Sequence, residues 1–189
     1  MELRAAAPVM PAGASPAPAA PASPFAIGPV SDTVIVKMAE MEVVSDGRNL
    51  KTVLGSCVGV IVRDADRKVS GLAHVMLPTR RSDDAATGKY ADSAVPALLA
   101  GMARHGCRPA SLQALLIGGA QMFPAGSASI ASIGDQNVEA ARRVLAEKRI
   151  PIIFEDIGGT AGRTVVFSNA TGKVTIKTLK AITARGGQS

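Results

Sequence analysis

The sequence predicts an α+β domain: a mostly antiparallel β-sandwich flanked by helices. Three observations predict it. Short runs of β-branched and aliphatic residues follow one another across polar turns, as in successive hairpins, which argues for antiparallel pairing over a doubly wound parallel sheet. Two amphipathic helical patterns are inserted late in the order. The core must be aliphatic, because apolar residues make up 47% of the 189 residues while aromatics are 3% and Trp is absent.

Residues 1–30 are rich in Ala and Pro, and such a segment buries too little apolar surface to offset its ordering entropy; it reads as a disordered tail. Residues 31–182 form the expected domain, and 183–189 a short flexible C-terminus. Thr33–Lys37 and Met41–Val44 read as short strands, and Ser45–Asn49 as a turn cluster. Leu50 to Arg63 is one long apolar stretch with a bend expected at Gly55-Ser56. After the polar turn Asp64–Lys68, Val69–Leu77 completes an expected hairpin, with Cys57 on its first strand and His74 on its second. Val95, Leu98, Leu99 and Met102 recur at helical spacing. Pro96 is expected in the first turn of that helix, which favours Asp92 or Ser93 as N-cap and Gly106 as the stop. Leu112–Ile117 is a buried strand running into Gly118-Gly119-Ala120. A second helix spans about Asp135–Lys148 with Val138, Ala141, Val144 and Leu145 inward. Pro151–Glu155, Thr164–Ser168 and Lys173–Leu179 complete the strands, the last two as a hairpin.

The N-terminal apolar stretch is broken by Pro8, Pro11, Pro16, Pro18 and Pro21, so it is no signal-peptide core, and no run is long enough to span a membrane. With only two cysteines, this predicts a cytoplasmic protein with free thiols and no direct membrane insertion. The net charge is +6, with Arg142, Arg143, Lys148 and Arg149 around one helix, but aromatic residues for base stacking are scarce. The composition therefore points away from nucleic acid and suits an acidic protein partner.

Cys57 in Leu54-Gly55-Ser56-Cys57-Val58 is the candidate nucleophile. Gly55 and Ser56 leave the thiol approachable, and the N–H of Cys57 with that of a neighbouring glycine can bind a developing oxyanion. Read blandly, it is a small buried hydrophobe. His74, on the following strand, is the candidate base; the bland reading is a hydrogen-bonded core residue. His105 and Cys107 form a rival pair at a helix end, and two Cys with two His raise a zinc site, but the spacing is unlike known fingers. Gly118-Gly119-Ala120-Gln121-Met122-Phe123 lacks the lysine of a P-loop and the third glycine of a dinucleotide site. No cofactor and no metal are expected.

Six motifs occur in order: Leu54-Gly55-Ser56-Cys57-Val58, His74-Val75-Met76-Leu77-Pro78, Lys89-Tyr90-Ala91-Asp92, Gly118 to Phe123, Ile133-Gly134-Asp135-Gln136-Asn137-Val138 and Gly158-Gly159-Thr160-Ala161-Gly162-Arg163. Through them the chain resembles the CheD family of chemoreceptor glutamine deamidases over roughly residues 33–179. The resemblance implies a fold like the toxin-type cysteine deamidases, with Cys57 as nucleophile, His74 as general base and Gly55, Ser56, Gly118 and Gly119 around the oxyanion. It implies hydrolysis of glutamine side-chain amides on the cytoplasmic region of chemotaxis receptors, and possible glutamyl methylesterase activity. It also implies a CheC-like phosphatase as partner; the alternative is a non-catalytic binding module for that phosphatase. Acyl transfer of transglutaminase type is a third reading of the same thioester. The family pattern puts a threonine on the strand before the cysteine, at the position of Lys51 here, with Thr52 one residue nearer. One residue reverses the face of a strand. Either Thr52 is the third catalytic member or another group orients His74.

Overall fold

The computed structural model describes residues 32–80, 86–121 and 132–179. The expected tail at 1–30, the C-terminus at 183–189, Arg81, Asp83, Asp84, Met122 and Phe123 lie outside these residues. The elements run β1 (Thr33–Ile35), β2 (Met41–Val44), β3 (Asn49–Leu54), β4 (Val58–Asp64), β5 (Val69–Val75), α1 (Ala91–Arg104), β6 (Leu112–Gly118), α2 (Ile133–Glu147), β7 (Ile152–Ile157), β8 (Arg163–Ser168) and β9 (Val174–Thr178). The class is α+β. Both sheets are mixed: a four-stranded sheet in the order β1-β3-β8-β9 and a five-stranded sheet in the order β2-β5-β4-β6-β7. The β1–β3 and β6–β7 pairs are parallel and all other pairings are antiparallel.

Side-chain alternation on β4 explains the core. Val58, Val60 and Val62 face one buried cluster with Val95, Leu98 and Met102 of α1 and Val138, Ala141, Val144 and Leu145 of α2. Ile61 faces a second cluster with Leu50 and Leu54 of β3, Leu72 of β5 and Val165 and Phe167 of β8. Residues of both sheets thus bury against each other on one side of β4, and the helices bury on its other side. Each fully buried Leu, Ile or Val contributes about 1.5–3 kcal/mol relative to exposure.

The expected β4–β5 hairpin is present, in the register Gly59↔His74. Cys57, however, is not on its first strand. It lies in the bend Gly55–Cys57, and the apolar run on either side of that bend enters two different sheets, β3 in one and β4 in the other. Neither Asp92 nor Ser93 caps α1. Tyr90 is the N-cap, because its side chain is buried and the Ala91 N–H donates to the Leu77 carbonyl, fixing the start by tertiary contact. Pro96 is consequently the sixth helical residue, in the second turn rather than the first. Gly106 follows the C-cap His105 with a φ of 78°, the left-handed conformation expected of the stop. Helix α2 starts two residues earlier than the periodicity suggests, because Ser132 and Asp135 form a reciprocal capping box.

Candidate active site

Strand β3 keeps a regular alternation: Leu50, Thr52 and Leu54 are buried, while Val53 is exposed. That alternation alone turns Thr52 inward and Lys51 to the other face, without any local distortion. Thr52 Oγ1 donates to the Val36 carbonyl at 2.8 Å and lies 2.8 Å from His74 Nδ1. A hydroxyl has one hydrogen, and it is engaged by Val36. The contact with His74 therefore runs from Nδ1–H to Oγ1. This assigns the proton to Nδ1 and leaves Nε2 with a free lone pair. Nε2 is buried and has no hydrogen-bond partner among the described residues. An unpartnered buried acceptor is uncommon enough to require a reason. Burial lowers the His74 pKa, against a smaller opposing pull from the Val36 carbonyl and Glu40. Burial therefore favours the neutral imidazole.

Cys57 is a half-buried free thiol. Burial pushes its pKa up, and its own backbone N–H partly offsets this. It packs against the same inter-sheet cluster that Leu72 joins, and His74 alternates with Leu72 on β5. Gly59 stands directly opposite His74, and Cys57 is two residues before Gly59, a diagonal position that a side chain as long as imidazole can reach. No hydrogen bond joins the Cys57 thiol and the His74 imidazole; in unliganded sites such bonds are commonly long and tighten only when substrate is bound.

The bend that carries Cys57 is held by backbone N–H groups of one other motif, Gly118 to Phe123. The Gly119 N–H donates to the Cys57 carbonyl and the Ala120 N–H to the Gly55 carbonyl, both at 2.8 Å. Gly118 and Gly119 thus lie against the Cys57 peptide, and the Gly119 N–H is already engaged. The N–H groups of Ser56 and Cys57 donate to no backbone carbonyl among the described residues. Gly118 has a φ of 108°, and a Cβ there would stand 2.3 Å from the Cys57 carbonyl oxygen. The Gly158 N–H donates to the Gly118 carbonyl, and Arg163 shapes the following loop by bonding Asp156 and the Gly158 and Ala161 carbonyls.

Asn137 stands in the fifth of the six motifs, with no role of its own expected from the sequence. It is fully buried on α2, and its Nδ2 donates to the Ser56 carbonyl at 3.2 Å and the Met76 carbonyl at 2.8 Å. The available signal was a carboxamide in the apolar stripe formed with Val138, Ala141, Val144 and Leu145. The rival pair has other surroundings. His105 caps α1, and Cys107 is buried with its thiol pushed up to about 11, first by burial and then by the adjacent Asp64. Among the described residues no group of three or more His, Cys, Asp or Glu side chains gathers as metal ligands, and no helix is long and apolar enough to cross a membrane.

Comparison with known proteins bears on this arrangement. The family model described as CheD chemotactic sensory transduction matches residues 76–178. A protein of Methanococcus vannielii named probable chemoreceptor glutamine deamidase CheD is 44% identical over 143 residues, covering 75% of this chain and 92% of that one. The chemoreceptor glutamine deamidase CheD of Halalkalibacterium halodurans is 41% identical over 155 residues, covering 79% of this chain and 96% of its own. Among solved structures, the Bacillus licheniformis hypothetical protein YfiH aligns over 61% of this chain and 49% of its own, with a TM-score of 0.41 and 16% identity. The family model covers more than half of the chain, and the two relatives match it over nearly their whole length: the chain belongs to the CheD family.

Proposed function

We propose that this chain is a cytoplasmic protein-glutamine deamidase that converts glutamine side chains of chemotaxis receptors to glutamate and ammonia through Cys57, His74 and Thr52. The observation that carries this reading is the Nδ1–H···Oγ1 bond from His74 to Thr52, with the buried Nε2 left free. An imidazole held this way is a general base on the face that also bears the thiol.

The reaction then proceeds in two halves. His74 Nε2 takes the Sγ proton of Cys57, and the thiolate attacks the glutamine Cδ. The new C–S bond pushes the carbonyl electrons onto oxygen, where the Ser56 and Cys57 N–H groups hold the charge. The imidazolium returns its proton to the amide nitrogen, the C–N bond breaks and ammonia leaves, because an unprotonated amide nitrogen is a poor leaving group. Water, deprotonated by the same Nε2, attacks the thioester; the C–S bond breaks, giving glutamate and the free thiol. A glutamyl methyl ester would enter the same thioester with methanol as leaving group. In this reading the paired sheets and flanking helices correspond to the β-sandwich of the toxin-type cysteine deamidases. The net charge of +6 suits an acidic receptor surface, and a CheC-like phosphatase is a further partner.

The test is incubation of the full chain with a purified receptor cytoplasmic fragment, following ammonia and the residue-by-residue mass of the fragment. One ammonia per glutamine converted to glutamate is the expected result. No conversion, with retained binding of a CheC-like phosphatase, would favour a binding module instead.

The pH dependence has a definite sign. His74 must be neutral to act, and its folded pKa lies below the ordinary value of about 6.5. kcat/KM is expected to be flat through neutrality and to fall only on acidification below that value. Stability follows the same group. Between the folded and unfolded pKa values the unfolded chain binds the extra proton, so His74 burial favours folding fully above about pH 6.5 and progressively less as pH falls through the folded pKa. A Tm series from about pH 8 down to about pH 5, spanning the histidine range, should show this decline, and His74→Phe should flatten it.

A further inference from the structure

We infer that Asn137 is a positioning residue for the reaction, its carboxamide tying the bend that carries the thiol to the end of the strand that carries the imidazole. This rests on the Cys57–His74 reading above. Both hydrogens of Nδ2 are engaged by backbone carbonyls, Ser56 on one side and Met76, two residues past His74, on the other. Both partners are acceptors, so the amide orientation is determined; its oxygen cannot take the place of the nitrogen.

The Ser56 contact has the more direct consequence. The Ser56 carbonyl and the Cys57 N–H belong to one planar peptide unit and point in opposite directions. Holding the carbonyl aims the N–H, which interacts with the Cys57 sulfur and is a proposed oxyanion donor. A hydrogen bond to the carbonyl also polarises that peptide and strengthens its N–H as a donor. The Met76 contact then sets this peptide against β5.

Close packing keeps Asn137 in place. A Cβ at Gly134 would meet the Gly119 oxygen at 2.4 Å, and a Cβ at Gly119 would meet Val138 Cγ2 at 2.6 Å. Helix α2 therefore sits directly on the glycine turn that is bonded to the Cys57 and Gly55 carbonyls. Asn137 Oδ1 is buried and has no partner among the described residues. A residue serving only to fill the apolar stripe of α2 would not bring a buried unpaired acceptor with it.

The test is the rate of Cys57 alkylation by iodoacetamide as a function of pH in the full chain, which needs no receptor. Cys107 competes little, being buried with its thiol pushed up to about 11. His74→Ala should slow the reaction at neutral pH. Asn137→Ala should slow it toward the same level, by about tenfold or more, the scale at which small misplacements of reacting groups act. At high pH, where the thiol ionises unaided, the three proteins should converge. Asn169→Ala is the matched control. Asn169 is also a buried bridging carboxamide, held by Ser70 and the Lys68 carbonyl, and should lower Tm but keep the wild-type profile. Asn137→Ser, with one donor retained, should fall between wild type and alanine, and it carries the test if alanine does not fold. A wild-type profile in a folded Asn137 variant would overturn the inference, as would an equal change in Asn169→Ala. If His74→Ala itself leaves the neutral rate unchanged, the fault lies instead with the Cys57–His74 reading.

Discussion

His74→Ala is expected to lower kcat/KM for glutamine deamidation by about 10²–10⁴, the usual contribution of a positioned general acid–base. The same Nε2 is asked to act in both halves of the reaction, passing the thiol proton to the departing amide nitrogen in the first and deprotonating water in the second. Burial raises the Cys57 pKa, so little thiolate exists at neutral pH without it. Thr52→Val should retain His74 but free its tautomer and ring orientation. A loss of about 10–100-fold is expected, as when the partner that orients a functional histidine is removed. Thr52→Ser should restore most of it, because the hydroxyl can still donate to Val36 and accept from Nδ1–H. Steady-state ammonia release for the three variants, each with Tm recorded, checks both steps. Equal activity of Thr52→Val and wild type would remove Thr52 from the mechanism.

Gly118→Ala is expected to be a severely damaging single-methyl change. A left-handed φ costs a non-glycine residue about 1–2 kcal/mol. The added Cβ would also stand 2.3 Å from a backbone carbonyl oxygen, which cannot rotate away as a side chain can. That oxygen belongs to Cys57, so relief requires moving the peptide of the proposed nucleophile. A destabilisation of about 3 kcal/mol or more should accompany loss of ammonia release. Gly47→Ala is the contrast: its φ is 85° but nothing lies within 4 Å of the added Cβ, so only the conformational cost applies. Chemical denaturation of both variants measures the difference. Comparable destabilisation by the two would mean that the contact at Gly118 relaxes cheaply.

Much of this was legible in the residues. The strands, both helix faces, the aliphatic core and the hairpin that carries His74 follow from periodicity and turn chemistry. Thr52 was legible too, since Leu50, Thr52 and Leu54 alternate in one uninterrupted strand; counting residues back from the cysteine pointed to Lys51 and obscured it. The division of β3 and β4 between two sheets was not legible. A bend at Gly55-Ser56 looks the same locally whether it closes a hairpin or crosses between layers, and only long-range pairing with β8 and β6 decides. The same holds for the start of α1, which the Leu77–Ala91 hydrogen bond sets against the local capping preference of Asp92 and Ser93. The parallel pair β6–β7 joins strands separated by α2, and β1–β3 skips over β2, which lies in the other sheet. Asn137 acts through backbone carbonyls on two other elements, and a carbonyl leaves no mark in a sequence.

The central claim is that the Cys57 sulfur forms the covalent bond to substrate. It is tested most directly by titrating ammonia release against the fraction of Cys57 alkylated in the native chain, with the modified position assigned by peptide mass. Activity is expected to fall in proportion to Cys57 modification and to vanish when modification is complete. A chain fully alkylated at Cys57 that still releases ammonia from the receptor fragment would contradict the account.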